Sequence, residues 1–132
     1  MVIGDVALAV RPPLTDAELN TLFAAAWPEH RPVPFGPVLQ RSLTWITARS
    51  GDQLVGFVNV ATDGGAHAFV LDTTVHPDWR RRGIGRLLVV AAIDQARMSA
   101  VTWLHVDYEP HLDGFYRGCG FRNTAAGLMR LA

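Results

Sequence analysis

Apolar positions along this chain change rhythm several times, and each change marks an element. Val6-Ala7-Leu8-Ala9-Val10 is a short apolar run closed by Pro12-Pro13 and predicts a first strand. Thr15-x-x-Glu18 then has the form of a capping box, and Leu19, Leu22, Phe23 and Ala26 recur at helical spacing. A helix is expected from about Asp16 to Ala26. Pro28, Pro32, Pro34 and Pro37 interrupt the pattern and predict an irregular segment with one more short helix ending near Leu43.

Two strands, at residues 44–49 and 54–62, are expected next, joined through Ser50-Gly51-Asp52-Gln53. Asp63-Gly64-Gly65 turns the chain again into a strand over residues 68–75. The apolar run from Leu87 to Ile93 would suit a buried strand, but its length and alanine content with what flanks it favour a helix at about residues 83–99. Ile84, Leu87, Leu88, Ala91 and Met98 mark the core face of that helix. Residues 101–108 read as a further strand, and a strand-helix-strand crossover makes a parallel pair. Pro110 suits the first position of a short helix ending near Gly118, and residues 121–124 and 128–131 are expected as terminal strands. The sum is one α/β domain over residues 1–132, with a mixed, mostly antiparallel sheet of six to seven strands, a central parallel pair and helices on both faces.

Charge and composition narrow the function classes. Twelve basic and twelve acidic residues cancel, which argues against a general polyanion or nucleic-acid binder and makes any basic character local. Every basic side chain is arginine, a feature of genome composition more than of mechanism. The single cysteine, Cys119, cannot form an intrachain disulfide and fits a reducing cytoplasm. The first residues lack the pattern of a signal peptide, and the run from Leu87 to Ile93 is far short of the about 20 apolar residues that cross a membrane. Five histidines show no ligand spacing and one cysteine cannot build a zinc site, so no metal is expected.

Candidate chemistry concentrates in Val75-His-Pro-Asp-Trp-Arg-Arg-Arg-Gly-Ile-Gly-Arg86. A strand, a glycine-bearing turn and a helix start are the parts of an anion site, because the first N–H groups of a helix have no internal partner. Gly83 and Gly85 let a phosphate approach the backbone, and Arg80, Arg81, Arg82 and Arg86 offer guanidinium forks to its oxygens. The plain alternative is a solvated basic turn; the glycines and the strand before them favour a diphosphate cradle. No Gly-Lys-Ser/Thr follows, which excludes a nucleotide-triphosphatase P-loop.

Arg80-x-x-Gly83-x-Gly85, preceded by Val75-x-Pro77, resembles the Gln/Arg-x-x-Gly-x-Gly/Ala signature of the GNAT N-acetyltransferases. Phe115-Tyr116-x-x-x-Gly120-Phe121 is similar to their second signature, and Arg11-Pro12 follows the first strand as it often does in that family. The resemblance covers essentially the whole chain. It implies a GNAT-like fold whose parallel strands splay, with the pantetheine arm of acetyl-CoA bonded to the backbone of Thr73, Thr74 and Val75. The diphosphate would rest on the turn that ends in Gly83, Ile84, Gly85 and Arg86. It further implies an amine acceptor, a small molecule or a protein amino group, and Tyr116 as general acid to the departing thiolate. A phenol with pKa about 10 suits that role at neutral pH; a core aromatic is the alternative.

The base stays open between Asp72 on the strand into the cradle, Asp107, which would share a strand face with His105, and Glu109, where relatives often carry Asn. Deprotonation through water is the remaining choice. Asp107 and Glu109 are the preferred candidates. Trp27, Glu29, His30 and Phe35, in the loop that shapes the acceptor pocket in the family, are candidate substrate residues or surface turn and anchoring aromatics. Dimerisation is common among relatives, and a homodimer is compatible with these residues. The competing readings are a catalytically silent acyl-CoA-binding or regulatory module, and a nucleic-acid binder using the arginine cluster.

Overall fold

Seven consecutive buried residues, Leu54 to Val60, make β4 (Gln53–Thr62) the middle of the structure, packed on both faces. A computed structural model describes residues 2–132 of the chain. Around β4 the strands β1 (Val2–Ile3), β2 (Val6–Val10), β3 (Ser42–Ser50), β5 (His67–Val75) and β6 (Trp103–Val106) lie in chain order across one sheet. Every neighbouring pair is antiparallel except β5 and β6, which run parallel as the crossover requires. Both expected hairpins form.

The expected count of six to seven strands is too high. Five strands of four residues or more carry the sheet, and β1 adds two residues at its edge. Neither residues 121–124 nor 128–131 form a strand. Phe121 instead donates its N–H to the Tyr116 carbonyl at 3.2 Å, while Leu128, Met129 and Leu131 are 88%, 79% and 90% exposed. Arg122, Asn123, Gly127 and Arg130 break up those apolar runs, so no strand face gathers enough burial to order it. The parallel pair therefore lies at the sheet edge and not at its centre.

β6 is shorter than expected, ending at Val106, and its pairing with β5 stops at Val70–Val106 while β5 runs on to Val75. The side of β5 away from β4 is thus without a neighbouring strand from Leu71 onward. This is the splay.

Helices cover both faces. α1 (Asp16–Ala26) has the expected bounds, and its box is complete: Thr15 Oγ1 accepts the Glu18 N–H at 3.1 Å and Glu18 Oε2 accepts the Thr15 N–H at 2.9 Å. Leu19, Leu22 and Phe23 of α1, with Phe35, Leu54 and Phe57, form the core on one side, where α2 (Gly36–Arg41) also packs. On the other side α3 (Ile84–Met98) buries Ile84, Leu88, Val89, Ala92 and Ala96. The stripe advances by four residues and leaves Met98 79% exposed, so Met98 is not on the core face. α3 lies so close to β4 that a Cβ on Gly56 would stand 2.9 Å from Leu88 Cδ1 and 3.1 Å from Ala48 Cβ. α4 (Asp113–Gly118) follows a 3-10 turn at Pro110–Leu112. Among the described residues no helix is long and apolar enough to cross a membrane.

Candidate active site

β5 leads into the turn before α3 through a distorted end. Asn59 pairs with Leu71 and Phe57 with Thr74, so Asp72 and Thr73 together oppose one residue of β4 in a bulge. Asp72 takes φ 58°, a left-handed conformation that costs an aspartate strain. The Thr74 hydroxyl donates to the Asp72 carbonyl at 2.9 Å and holds the bulge, while Thr73 Oγ1 is buried without a partner. Val75 closes the strand against the α3-side core.

A 3-10 turn at Pro77–Trp79 and the arginines follow. Gly83, at φ 81°, is the N-cap of α3 and offers no side chain to its first N–H groups. A residue with a Cβ would be strained in that conformation, and a capping side chain would occupy the place of an anion. Gly85 sits in the first turn, where an added Cβ would make ordinary contacts with Phe115 and Val75, at 3.6 Å and 3.7 Å. The protein itself would therefore tolerate a larger residue there.

The four arginines are exposed but not equivalent. Arg80 Nε donates to the Val75 carbonyl at 3.3 Å, bracing the turn. Arg82 stands 5.9 Å from the Trp79 ring centroid, a cation–π contact. Arg86 Nη1 donates to the Gly118 carbonyl at 2.9 Å, so it joins α3 to α4. Arg81, at φ 62°, makes no side-chain hydrogen bond or ion pair with a described residue. Sequence reasoning assigned all four to phosphate and missed the bracing roles of Arg80 and Arg86, which only the folded arrangement reveals.

Tyr116, on α4, is 6% exposed and stacks on Tyr108 with ring centroids 4.7 Å apart. Burial pushes its pKa above the ordinary phenol value; the nearby Thr73 hydroxyl opposes the shift, and Cys119 and Asp107 add to it. Thr73 is close enough to be felt by the phenol, while its own Oγ1 has no hydrogen-bond partner of normal geometry. β5, α4 and the end of β6 thus converge across the splay. Tyr108 was not singled out from the sequence. Its hydroxyl lies 2.8 Å from Asp113 Oδ1 and 2.9 Å from Asn123 Oδ1, and the Asp113 hydrogen bond raises its pKa. Burial raises the pKa of the half-buried Cys119 thiol, with Arg86 opposing, which keeps it protonated.

Of the carboxylates, Asp107 is exposed just past the end of β6, near Tyr116; His105, within β6, is turned instead to His67. Glu109 is exposed, its carbonyl accepting the Leu112 N–H at 2.9 Å and its side chain capping nothing. Asp72 reaches solvent, yet the protein crowds it enough that burial raises its pKa. No basic group pairs with it among the described residues.

The loop after α1 is built mainly for support. Phe35 is 5% exposed in the core, its N–H donating to Asp16 Oδ1 at 2.9 Å, which leaves no face for a substrate. His30 Nε2 lies 2.8 Å from Asn20 Oδ1, and that same oxygen accepts the Val33 N–H at 3.0 Å. Trp27 is 40% exposed at the end of α1, edge-on to Phe23, and Glu29 is exposed. Among the described residues no group of three or more His, Cys, Asp or Glu could hold a metal ion.

Comparison with known proteins places the chain by family and by fold. The chain is 33% identical over 79 residues to an uncharacterized N-acetyltransferase of Porphyra purpurea, covering 60% of this chain and 45% of that protein. It spans about half the length of the curated relatives it matches. A GNAT-family acetyltransferase from Streptococcus pneumoniae superimposes with TM-score 0.81 at 23% identity, covering 96% of this chain and 98% of the other. An aminoglycoside N-acetyltransferase in complex with CoA gives TM-score 0.73 at 16% identity over 100% and 99% of the two chains. These two likenesses show the fold. The Acetyltransferase (GNAT) family profile matches residues 16–121, from the first turn of α1 through both signature stretches, and the chain belongs to that family.

Proposed function

We propose that this protein transfers an acetyl group from acetyl-CoA to a primary amine, by direct attack with both substrates bound. The observation that carries the reading is the meeting of the Tyr116 phenol, the unpartnered Thr73 hydroxyl and the end of β6 at the open side of β5. The uncapped start of α3 and the room at Gly85 fit the diphosphate of acetyl-CoA, with Arg81 and Arg82 reaching its oxygens. The unpaired side of β5 from Leu71 to Val75 fits an extended amide-bearing arm, which it would receive as an added strand. When bound, acetyl-CoA supplies an activated acyl carbon and a thiolate leaving group.

The chain's own residues do the rest. Backbone N–H groups at the Asp72–Thr73 bulge, which the ladder with β4 leaves out of register, would stabilise a developing oxyanion. Tyr116, held neutral by burial, is the donor for the departing thiolate. Asp72 and Asp107 are the carboxylates that flank the opening, and the raised pKa of Asp72 makes it the better acceptor of an ammonium proton. Glu109 stands further out as part of the turn into α4.

An acetyl-CoA titration paired with a thiol-release assay over an amine panel tests this. Binding with turnover on at least one amine is expected. Tight binding without turnover on any amine would make the chain an acyl-CoA-binding module instead.

A further inference from the structure

α4 carries Tyr116 on six residues, too few for a helix to keep its shape without outside contacts. Arg86 supplies one such contact at its last residue, through the Gly118 carbonyl. At the other end Asp113, the first residue of α4, has Oδ1 2.8 Å from the Tyr108 hydroxyl. That hydroxyl also lies 2.9 Å from Asn123 Oδ1, but it has one proton to give, and a carboxylate is the stronger acceptor. The bond to Asp113 is thus the one that anchors the Tyr108 ring. Because Tyr108 lies just past the end of β6 at Val106, this bond ties the end of the sheet to the start of the helix.

Three aromatic rings surround that of Tyr116. Tyr108 stacks on it with planes at 22°, while Phe115 and Phe121 meet it edge-on with centroids 4.9 Å and 6.0 Å away. Phe115 belongs to α4, and Phe121 is bonded to it through the Tyr116 carbonyl, so both move with the helix. Of these three rings, Tyr108 is the one that comes from the sheet. The polar groups near the phenol are Thr73 of β5, Asp107 past β6 and Cys119 past α4.

Resting on the acetyl-transfer reading, we propose that Tyr108 is a positioning residue that acts through Tyr116. Its stack sets the tilt of the Tyr116 ring and its bond to Asp113 sets the place of α4, so that the phenol is aimed at the departing thiolate. Phenylalanine at this position would keep the stack and lose the bond; leucine would lose both.

Two measurements on the full chain test this. The chain has two tyrosines, so in Tyr108→Phe and Tyr108→Leu the phenolate absorbance reports Tyr116 alone. Tyr116 should titrate at lower pH in Tyr108→Leu than in Tyr108→Phe, because an uncovered ring face weakens the burial that opposes the charged form. In steady-state kinetics with an accepted amine, Tyr108→Leu should lower kcat about tenfold, within the about hundredfold that a misplacement of about 1 Å costs. The KM for acetyl-CoA should stay unchanged, and Tyr108→Phe should recover most of the loss. Added to Tyr116→Phe, Tyr108→Leu should cost almost nothing further, since the group it positions is gone. An equal loss in both backgrounds, an unchanged kcat in Tyr108→Leu, or the same Tyr116 titration in both Tyr108 variants would overturn the proposal. Full turnover in Tyr116→Phe would sink the acid reading and this proposal with it. A titration difference in a chain without turnover on any amine would sink the transfer reading alone and leave Tyr108 as the seat of Tyr116.

Discussion

Arg86 reaches from the first turn of α3 to the Gly118 carbonyl at the last residue of α4, a distance of 2.9 Å. The bond joins α3 to the helix that carries Tyr116, and it places a cation at the negative end of α4. Arg86→Met should therefore loosen α4. Turnover is expected to fall about tenfold, on the scale of one charge-assisted hydrogen bond. Arg86→Lys should restore little, since a lysine lacks the fork. Steady-state kinetics with a matched acetyl-CoA titration would separate this positional loss from lost cofactor affinity.

Tyr116→Phe removes the proposed acid and keeps the ring stack on Tyr108. Turnover should drop by about a hundredfold, the lower range for a general acid, while acetyl-CoA affinity changes little. Because burial raises the phenol pKa, the folded state holds that proton after an unfolded chain would release it near pH 10. Stability contributed by the neutral phenol is complete below that value and is lost as pH rises through the folded pKa. Urea denaturation between pH 9 and pH 11 should show a steeper loss in the natural protein than in Tyr116→Phe.

Asp72 carries a crowded, unpaired charge at φ 58°, which asparagine adopts about as readily. Asp72→Asn should leave the protein at least as stable at pH 7. The natural protein should recover the difference as pH falls through the raised pKa of Asp72 towards the ordinary aspartate range, where the carboxyl becomes neutral. Turnover should fall in the same variant. A large loss of stability at neutral pH would show that the carboxylate has a structural partner.

Gly56→Ala tests how closely α3 sits on β4. The added methyl meets Leu88 and Ala48 at 2.9 Å and 3.1 Å in a core with no slack, and a loss of about 1–3 kcal/mol in chemical denaturation is expected.

Local signals were the ones the sequence carried faithfully. The Thr15–Glu18 box fixed α1 because its hydrogen bonds span three residues, and Gly83 marked the start of α3 because helix starts are local geometry. What failed depended on distant partners. A four-residue apolar run such as 128–131 becomes a strand only if an edge and a core receive it, and neither does here. Phe35 reads as a loop aromatic until Phe23 and Phe57 are known to surround it. Arg86 reads as one more phosphate ligand until α4 folds back beside it. Asp72 was visible as a carboxylate on the right strand, but its bulge and its lack of a partner arise from pairing with β4.

The most direct test follows the amide resonances of Gly83, Ile84 and Gly85 during an acetyl-CoA titration of the natural protein and of Gly85→Asp. Large, saturable shifts at those amides are expected in the natural protein, and none in the variant, whose carboxylate would stand where phosphate binds. Shifts confined to a surface away from α3, or equal affinity in Gly85→Asp, would contradict a cofactor held at the start of α3.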